Sequence, residues 1–306
     1  MKRLRLRIAF YICEKASWWN EAWPAMRHIV LSHFQVESLL AARRAGRPSA
    51  SVSLDLELTI TDVTLEEDGV RFPDEQSLTW QDLEIIRASE RGCFVIEENT
   101  PRKIQFFSEQ TNQLYSLMPT KRAPTMLISG IPMHRIKGTD PHADTLEKIK
   151  TIAPITGYVL DTATGLGYTA IQAAQTAEHV TTIELDPAAL EVARLNPWSQ
   201  SLFENLKITQ MIGDSFEEIE KFEANLFARI IHDPPMFNLA GDLYSGEFYR
   251  YLFRVLQPGG RLFHYIGDLE SKSGRIVTRG VVRRLQEAGF KRVSLRPAAF
   301  GVIAFK

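Results

Sequence analysis

An α/β protein with a doubly wound parallel sheet, preceded by a smaller β-rich domain, is the fold class predicted by three features of the sequence. Its 306 residues are about twice a typical domain of about 150. Beyond Pro119 and Pro124, short apolar runs alternate with stretches of ten or more residues suited to helix, the rhythm of βαβ units. Before them, from Ser53 to about Leu117, short alternating runs are broken by turn signals, as in a small antiparallel unit. With 44% hydrophobic and 24% charged residues, the chain can bury a sizeable core, which excludes disorder, collagen-like repeats and coiled coil as the main architecture.

Charge is near balance overall, 36 basic against 37 acidic residues, so there is no global excess of the kind that holds nucleic acid by charge alone. The balance is a sum of unlike segments. Residues 1–50 hold nine Lys/Arg and three Asp/Glu, whereas residues 51–120 hold five and fourteen. The step falls near Arg47-Pro48-Ser49 and predicts an N-terminal extension over 1–50, a small acidic β-rich domain over 51–125 and the α/β domain over 126–306. The extension shows no clear period. It reads as a helical appendage or as a start upstream of the natural one, with Met26 as the alternative initiator. Its basic opening imitates a signal peptide, but the apolar run Ile8–Cys13 is too short, and charge returns at Glu14. No stretch approaches the roughly 18 apolar residues of a membrane span. The two cysteines, Cys13 and Cys93, form no disulfide framework or metal knuckle, which fits a reducing cytoplasm.

Within the acidic domain, Leu54–Ile60 alternates apolar with acidic or polar residues and predicts a half-buried strand, followed by short runs at Gly69–Phe72, Cys93–Ile96 and Lys103–Phe107. This domain has no catalytic cluster, so a structural or substrate-selecting role is expected. In the α/β domain the expected strands are Gly157–Asp161, His179–Glu184, Lys207–Ile212, Ala228–His232, Gly260–Tyr265, Arg292–Leu295 and Gly301–Phe305.

The chemistry-bearing residues fall at the carboxyl ends of those strands, where open α/β sheets bind ligands. The first strand runs into Asp161-Thr-Ala163-Thr-Gly165-Leu-Gly167, a glycine-bearing turn before an apolar helix, which allows close backbone approach and offers free helix N–H groups. Glu184 ends the second strand 17 residues past the last glycine, a position from which a carboxylate can accept from both ribose hydroxyls. Gly213-Asp214 closes the third strand, where a carboxylate could accept from an exocyclic amine. Asp233-Pro234-Pro235-Met236-Phe237 follows the fourth, and Leu256-Gln-Pro-Gly259-Gly260 feeds the fifth. Asp186 reads as a helix cap.

In order and spacing these elements, over about residues 155–306, resemble the class I S-adenosylmethionine-dependent methyltransferases. The match is closest to predicted methyltransferases in which a segment like Ser129-Gly-Ile-Pro-Met-His134-Arg precedes the glycine turn. The resemblance implies a Rossmann-like seven-stranded sheet whose last strand is antiparallel, and S-adenosylmethionine as cofactor. It places Asp161, Ala163, Gly165 and Gly167 at the methionine part, Glu184 and the following Leu185 at the ribose, and Asp214 with Ser215 at the adenine. Ala163 stands where the family more often has glycine. By the same resemblance Asp233 and a Pro234 carbonyl accept N–H bonds from a planar amine on which an aromatic ring, here Phe237, stacks. Met236 intervenes before that ring.

A second resemblance competes. Leu243-Tyr244-Ser-Gly-Glu-Phe248-Tyr249 is similar to a segment of the spermidine-synthase-type aminopropyltransferases, which use decarboxylated S-adenosylmethionine, although their paired acid is absent here. On that reading Tyr244 and Tyr249 face the acceptor. The alternative is a helix packing Phe248 and Leu252 into the core. His134 and Arg135 are placed to cover the cofactor, and the histidines form no metal-ligand cluster. Arg279, Arg283, Arg284, Lys291 and Arg292 give the last helix a basic side that reads as a solvated face. Three functions therefore compete: methyl transfer, aminopropyl transfer, and cofactor binding without catalysis. The acceptor is a small molecule, a protein side chain or an RNA base. Neither membrane nor metal is expected, and the oligomeric state is open, a homodimer included.

Overall fold

The computed structural model describes residues 28–235 and 241–306. The expected extension before residue 28, its alternative start and Cys13 lie outside the described residues, as do Met236 and Phe237.

The N-terminal part begins with β1 (Ile29–Leu31) and α1 (His33–Arg44), followed by β2 (Ser49–Val52), β3 (Thr61–Leu65), β4 (Gly69–Arg71), β5 (Ser77–Thr79) and α2 (Trp80–Arg87). Ser32 and Gln35 close a capping box at the start of α1, and Thr79 with Asp82 does the same for α2. Helix α1 buries Val36, Leu39 and Leu40, one turn apart, against Val52, Val63, Leu78, Leu83 and Ile96. The charge step at Arg47 therefore marks no structural boundary: residues on both sides of it share one core. The expected strand Leu54–Ile60 is also corrected. The segment turns, with Leu56 and Glu57 at φ 54° and 73°. The Asp55 carboxylate accepts from the Leu58 and Thr59 amides, and the Ser53 hydroxyl oxygen accepts from the Glu57 amide, bonds that compete with a sheet ladder.

A short antiparallel run follows: β6 (Phe94–Glu97), β7 (Thr100–Lys103), β8 (Gln105–Ser108), β9 (Gln113–Met118), β10 (Thr125–Ile128) and β11 (Ile131–Pro132). The sheets are ordered β2-β3-β4-β5, β1-β6-β7 and β11-β10-β9-β8. The last of these lies against the α/β domain, since Ile104, Tyr115, Leu117 and Met126 share a core with Val159, Leu166 and Ala170.

The α/β domain comprises α3 (Pro141–Ile152), β12 (Tyr158–Asp161), α4 (Tyr168–Ala174), β13 (His179–Glu184), α5 (Pro187–Leu195), α6 (Gln200–Glu204), β14 (Ile208–Ile212) and α7 (Ser215–Glu218). It continues with β15 (Phe227–His232), α8 (Gly246–Val255), β16 (Leu256–Tyr265), α9 (Lys272–Glu287), β17 (Lys291–Arg296) and β18 (Gly301–Phe305). All seven expected strands are present, in the order β14-β13-β12-β15-β16-β18-β17. Only β18 runs antiparallel to its neighbours. Alternate residues feed opposite layers: Val159, Ile231, Phe263 and Ile303 face the layer of α3, α4 and α5, whereas Leu160, Ile230, Leu262 and Val302 face α8 and α9. The strand order reverses between β12 and β15, which opens a crevice at their carboxyl ends. Among the described residues no helix is long and apolar enough to cross a membrane.

Candidate functional site

That crevice is a cavity lined by residues 162–165, Glu184, Leu185, Asp214, Ser215 and Asp233–Pro235 from the sheet ends. Tyr115, Met126, Ile128, Met133 and His134 wall it from the other side. The structure thus brings together Ala163, Gly165, Glu184, Leu185, Asp214, Ser215, Asp233, Pro234 and His134, whereas Asp161 and Gly167 of the expected turn do not line the cavity.

The turn after β12 is shaped by Gly165 and Gly167, which take left-handed φ values of 52° and 74°; Ala163 is spared that conformation, so alanine is tolerated there. Gly167 also opens α4, and a Cβ at that position would lie 2.6 Å from Leu202, which is fully buried. Gly167→Ala is expected to lower stability by about 1–3 kcal/mol through overpacking and φ strain, read by urea unfolding. An unchanged midpoint would show that Leu202 can yield.

The Gly165 amide donates to Glu184 Oε2 at 2.8 Å and the Asp186 amide donates to Oε1 at 3.2 Å, so the tip of β13 is clamped to the turn. Burial nevertheless pushes the Glu184 carboxyl up to about 7, with those two amides opposing. Asp161 is fully buried. The Thr169 hydroxyl donates to its Oδ2 at 2.8 Å, while Oδ1 makes no hydrogen bond among the described residues. Burial raises this carboxyl to about 7 as well. Asp214 caps α7 through the Phe216 amide at 2.8 Å, and the Ser215 hydroxyl donates to the Thr162 carbonyl at 2.6 Å, tying the two loops together. Asp186 caps α5 as expected and also accepts from the Thr111 hydroxyl at 2.6 Å, which joins the β8–β9 turn to the tip of β13.

Asp233 meets a partner that sequence spacing did not reveal. Lys148 of α3 donates to its Oδ2 at 2.7 Å and also pairs with Asp144 at 2.9 Å; Arg135 pairs with the other Asp144 oxygen at 3.0 Å. Lys148 and Asp144 are essentially fully buried, and the Lys148 ammonium lies 4.6 Å from the Tyr265 ring centre. Burial raises the Asp233 carboxyl, and the Lys148 charge opposes that rise. His134, walling the cavity, is held down to about 3 by burial and by Lys148, so its ring is neutral at neutral pH; its Nδ1 is 3.0 Å from the Thr125 hydroxyl.

Tyr244 and Tyr249 depart from their expected place at the acceptor. Both are buried in the core behind β15 and β16: Tyr244 ends the short helical turn Gly241–Tyr244, and Tyr249 lies on α8 with Phe248, Leu252 and Val255, which pack that helix on the sheet as the alternative reading of the segment held. The Tyr249 hydroxyl donates to His264 Nε2 at 2.8 Å, while His264 Nδ1 is 3.3 Å from the His232 carbonyl. His232 donates through Nε2 to the Leu243 carbonyl at 2.9 Å and accepts at Nδ1 from Thr162 at 2.7 Å. Tyr244 donates to the Pro235 carbonyl at 3.2 Å. These groups support the Asp233-Pro-Pro turn from beneath. The i, i+4, i+7 spacing of Phe248, Leu252 and Val255 was the sequence signal for burial.

The sheet order and the single antiparallel strand are those of the class I methyltransferase fold. The methyltransferase small domain family matches residues 137–268. The chain belongs to the family of the uncharacterized protein MJ1233 of Methanocaldococcus jannaschii, with which it is 39% identical over 287 residues, covering 91% of this chain and 97% of that protein. Polyamine aminopropyltransferase 2 of Hyperthermus butylicus is 36% identical over 87 residues, 27% of this chain and 28% of that protein. The crystal structure of spermidine synthase from Thermotoga maritima shares the fold with a TM-score of 0.53 at 18% identity, over 69% of this chain and 76% of that one.

Proposed function

We propose that the protein transfers a methyl group from S-adenosylmethionine to a nitrogen held at Asp233. The observation that carries this reading is the convergence of the Gly165 turn, Glu184, Asp214 and Asp233-Pro-Pro on one cavity. The donor set fits such a cofactor. Glu184 can accept from a ribose diol and the second oxygen of Asp214 from an exocyclic amine, with the exposed Leu185 against the ring. When bound, S-adenosylmethionine supplies a methyl group on a positively charged sulfur. The chain's own residues then orient the acceptor and receive its proton, work that positioning and a carboxylate base can do. Asp233 Oδ2 is engaged by Lys148, and Oδ1 carries no hydrogen bond among the described residues, so Oδ1 is the atom that accepts the proton from the acceptor nitrogen.

Calorimetry with S-adenosylhomocysteine tests the reading. Binding is expected, and Glu184→Ala should weaken it by about tenfold or more, a cost in line with a lost hydrogen bond to a charged group. No binding at millimolar ligand, or affinity unchanged in the variant, overturns it. The pH dependence has a definite sign. Glu184 titrates near 7 in the free protein, and accepting ribose hydroxyls favours its ionised form, so binding releases a proton. Affinity should therefore rise from pH 5.5 toward about 7 and level off above it, with a shallower rise in Glu184→Gln. A flat profile in the wild type removes Glu184 from the binding role.

Aminopropyl transfer is the second reading, favoured by the similarity to polyamine aminopropyltransferases over about a quarter of the chain. Against it stands the pairing of Asp233 with Lys148, since a polyamine acceptor needs uncommitted carboxylates. A product assay with decarboxylated cofactor plus putrescine separates the two.

A further inference from the structure

We infer that the groove between α9 and β17, at the far edge of the seven-stranded sheet, is a docking surface for a single-stranded polynucleotide. The inference stands on that groove and not on methyl transfer in the cavity.

Residues 272–296 carry eight Lys/Arg and one acid, Glu287, in a chain whose net charge is −1. The fold sorts these cations. Arg284 turns inward, its Nε donating to the Tyr244 carbonyl at 2.9 Å, and Arg292 lies with its guanidinium carbon 4.5 Å from the Phe305 ring centre. Arg275, Arg279 and Arg283 instead stand exposed at i, i+4 and i+8 on one side of α9, a row in which each step rises about 6 Å. Arg279 and Arg283 line the groove. The Arg279 side chain makes no ion pair or hydrogen bond among the described residues, and Arg283 faces only Glu287 at 3.6 Å, an exposed pair that solvent screens. The basic side of α9, expected as a solvated face, thus borders a recess.

The floor of that recess is apolar. Val282 comes from the helix, and Val293 and Leu295, two residues apart, come from β17. Because β17 is the last strand of the sheet, no further strand lies beside it, and Leu295 stays 49% exposed. Gln286 adds an amide that can both donate and accept.

A linear polyanion matches an evenly spaced row of guanidiniums, whose planar forks take phosphate oxygens two at a time. A duplex would present only phosphate and leave the floor uncovered. A single strand also presents its bases, which can lie on Val293 and Leu295 and stack on guanidinium planes. An acidic peptide added as one more strand fits less well. Arg292 holds φ 48°, and the pairing of β17 with β18 shifts register between Lys291 and Ser294, so the outer edge lacks a regular ladder there. The groove is separate from the cavity, since β17 lies three strands from β15, on the order of 14 Å. Helix α9 nevertheless begins soon after β16 ends beside His232, so a strand lying along the arginine row has one end directed toward the edge of the sheet that carries Asp233.

Anisotropy titration of the full-length protein with a labelled oligouridylate of about twelve nucleotides is the test. At about 50 mM salt, micromolar binding is expected, weakening as salt rises. Arg279→Ala with Arg283→Ala should reduce affinity at least tenfold and flatten the slope of log affinity against log salt by about 1.4, the share of two phosphate contacts on a single strand. Leu295→Ala should weaken binding severalfold and leave that slope unchanged, because it removes apolar contact without charge. Lys121→Ala with Arg122→Ala removes the same charge from exposed positions elsewhere and should change affinity by less than about twofold. No binding at about 100 μM protein overturns the inference. So does an equal loss in the Lys121/Arg122 pair, a Leu295→Ala affinity equal to wild type, or equally tight binding of a duplex or of polyglutamate of the same charge. The titration needs no cofactor, so failure of S-adenosylhomocysteine to bind would sink the methyltransferase reading alone.

Discussion

Asp233→Asn is expected to lower methyl incorporation into cell extract by about 10²- to 10³-fold, within the range for losing a positioned proton acceptor. The substitution keeps the shape of the side chain and removes its charge. Lys148 will hold the amide oxygen where it now holds Oδ2, which turns the amide NH2 toward the acceptor's own N–H. Two donors then face each other, and no carboxylate remains to take the proton. S-adenosylhomocysteine affinity should stay within about twofold of wild type, because the clamp between Gly165 and Glu184 lies on other strands. Incorporation at the wild-type rate, measured with methyl-labelled cofactor in single turnover, would refute a chemical role for Asp233.

Lys148→Met is expected to cost about 3–5 kcal/mol of stability, the range for removing one partner of a buried ion pair. The reason lies in what the substitution leaves behind. Asp144 has no exposed side-chain surface and would keep only Arg135, while Asp233 would lose its cation beside the cavity. Restoring neutrality with Asp144→Asn in the same chain should recover a substantial part of the loss. Urea unfolding of the two variants checks this: a single variant as stable as wild type, or a double variant no better than the single, would show that the network is not coupled in this way.

The seven-stranded sheet was legible in the sequence because strands such as β12, β15 and β18 are short, largely apolar runs, and because Asp161, Glu184, Asp214 and Asp233 stand just at or after the strand ends. His179–Glu184 and Gly301–Phe305 were read to the residue. Leu54–Ile60 misled for a physical reason. Alternation marks a strand only if the backbone lacks a better local partner, and Asp55 and Ser53 supply one. Lys148 was invisible because its partner Asp233 is 85 residues away and belongs to a different element. Its spacing from Asp144 reads as an ordinary i, i+4 surface pair; only burial distinguishes it. The wall formed by Tyr115, Met126 and Ile128 was equally hidden, since apolar residues on short strands look alike whether they face a core or a ligand.

That wall bears on how the chain could have been assembled and how it can be divided. Val30, Leu56, Cys93 and Ile104 share a hydrophobic cluster with Val159 and Leu166, and Trp198 donates to the Leu56 carbonyl at 2.8 Å. A fragment starting at residue 126 would keep every carboxylate-tipped strand yet expose one flank of its sheet layer and lose Tyr115 from the cavity. The N-terminal strands are therefore not a detachable accessory to a self-sufficient α/β domain. Swapping them for those of a relative would change what the cavity admits, whereas trimming them would leave the cavity open to water on one side.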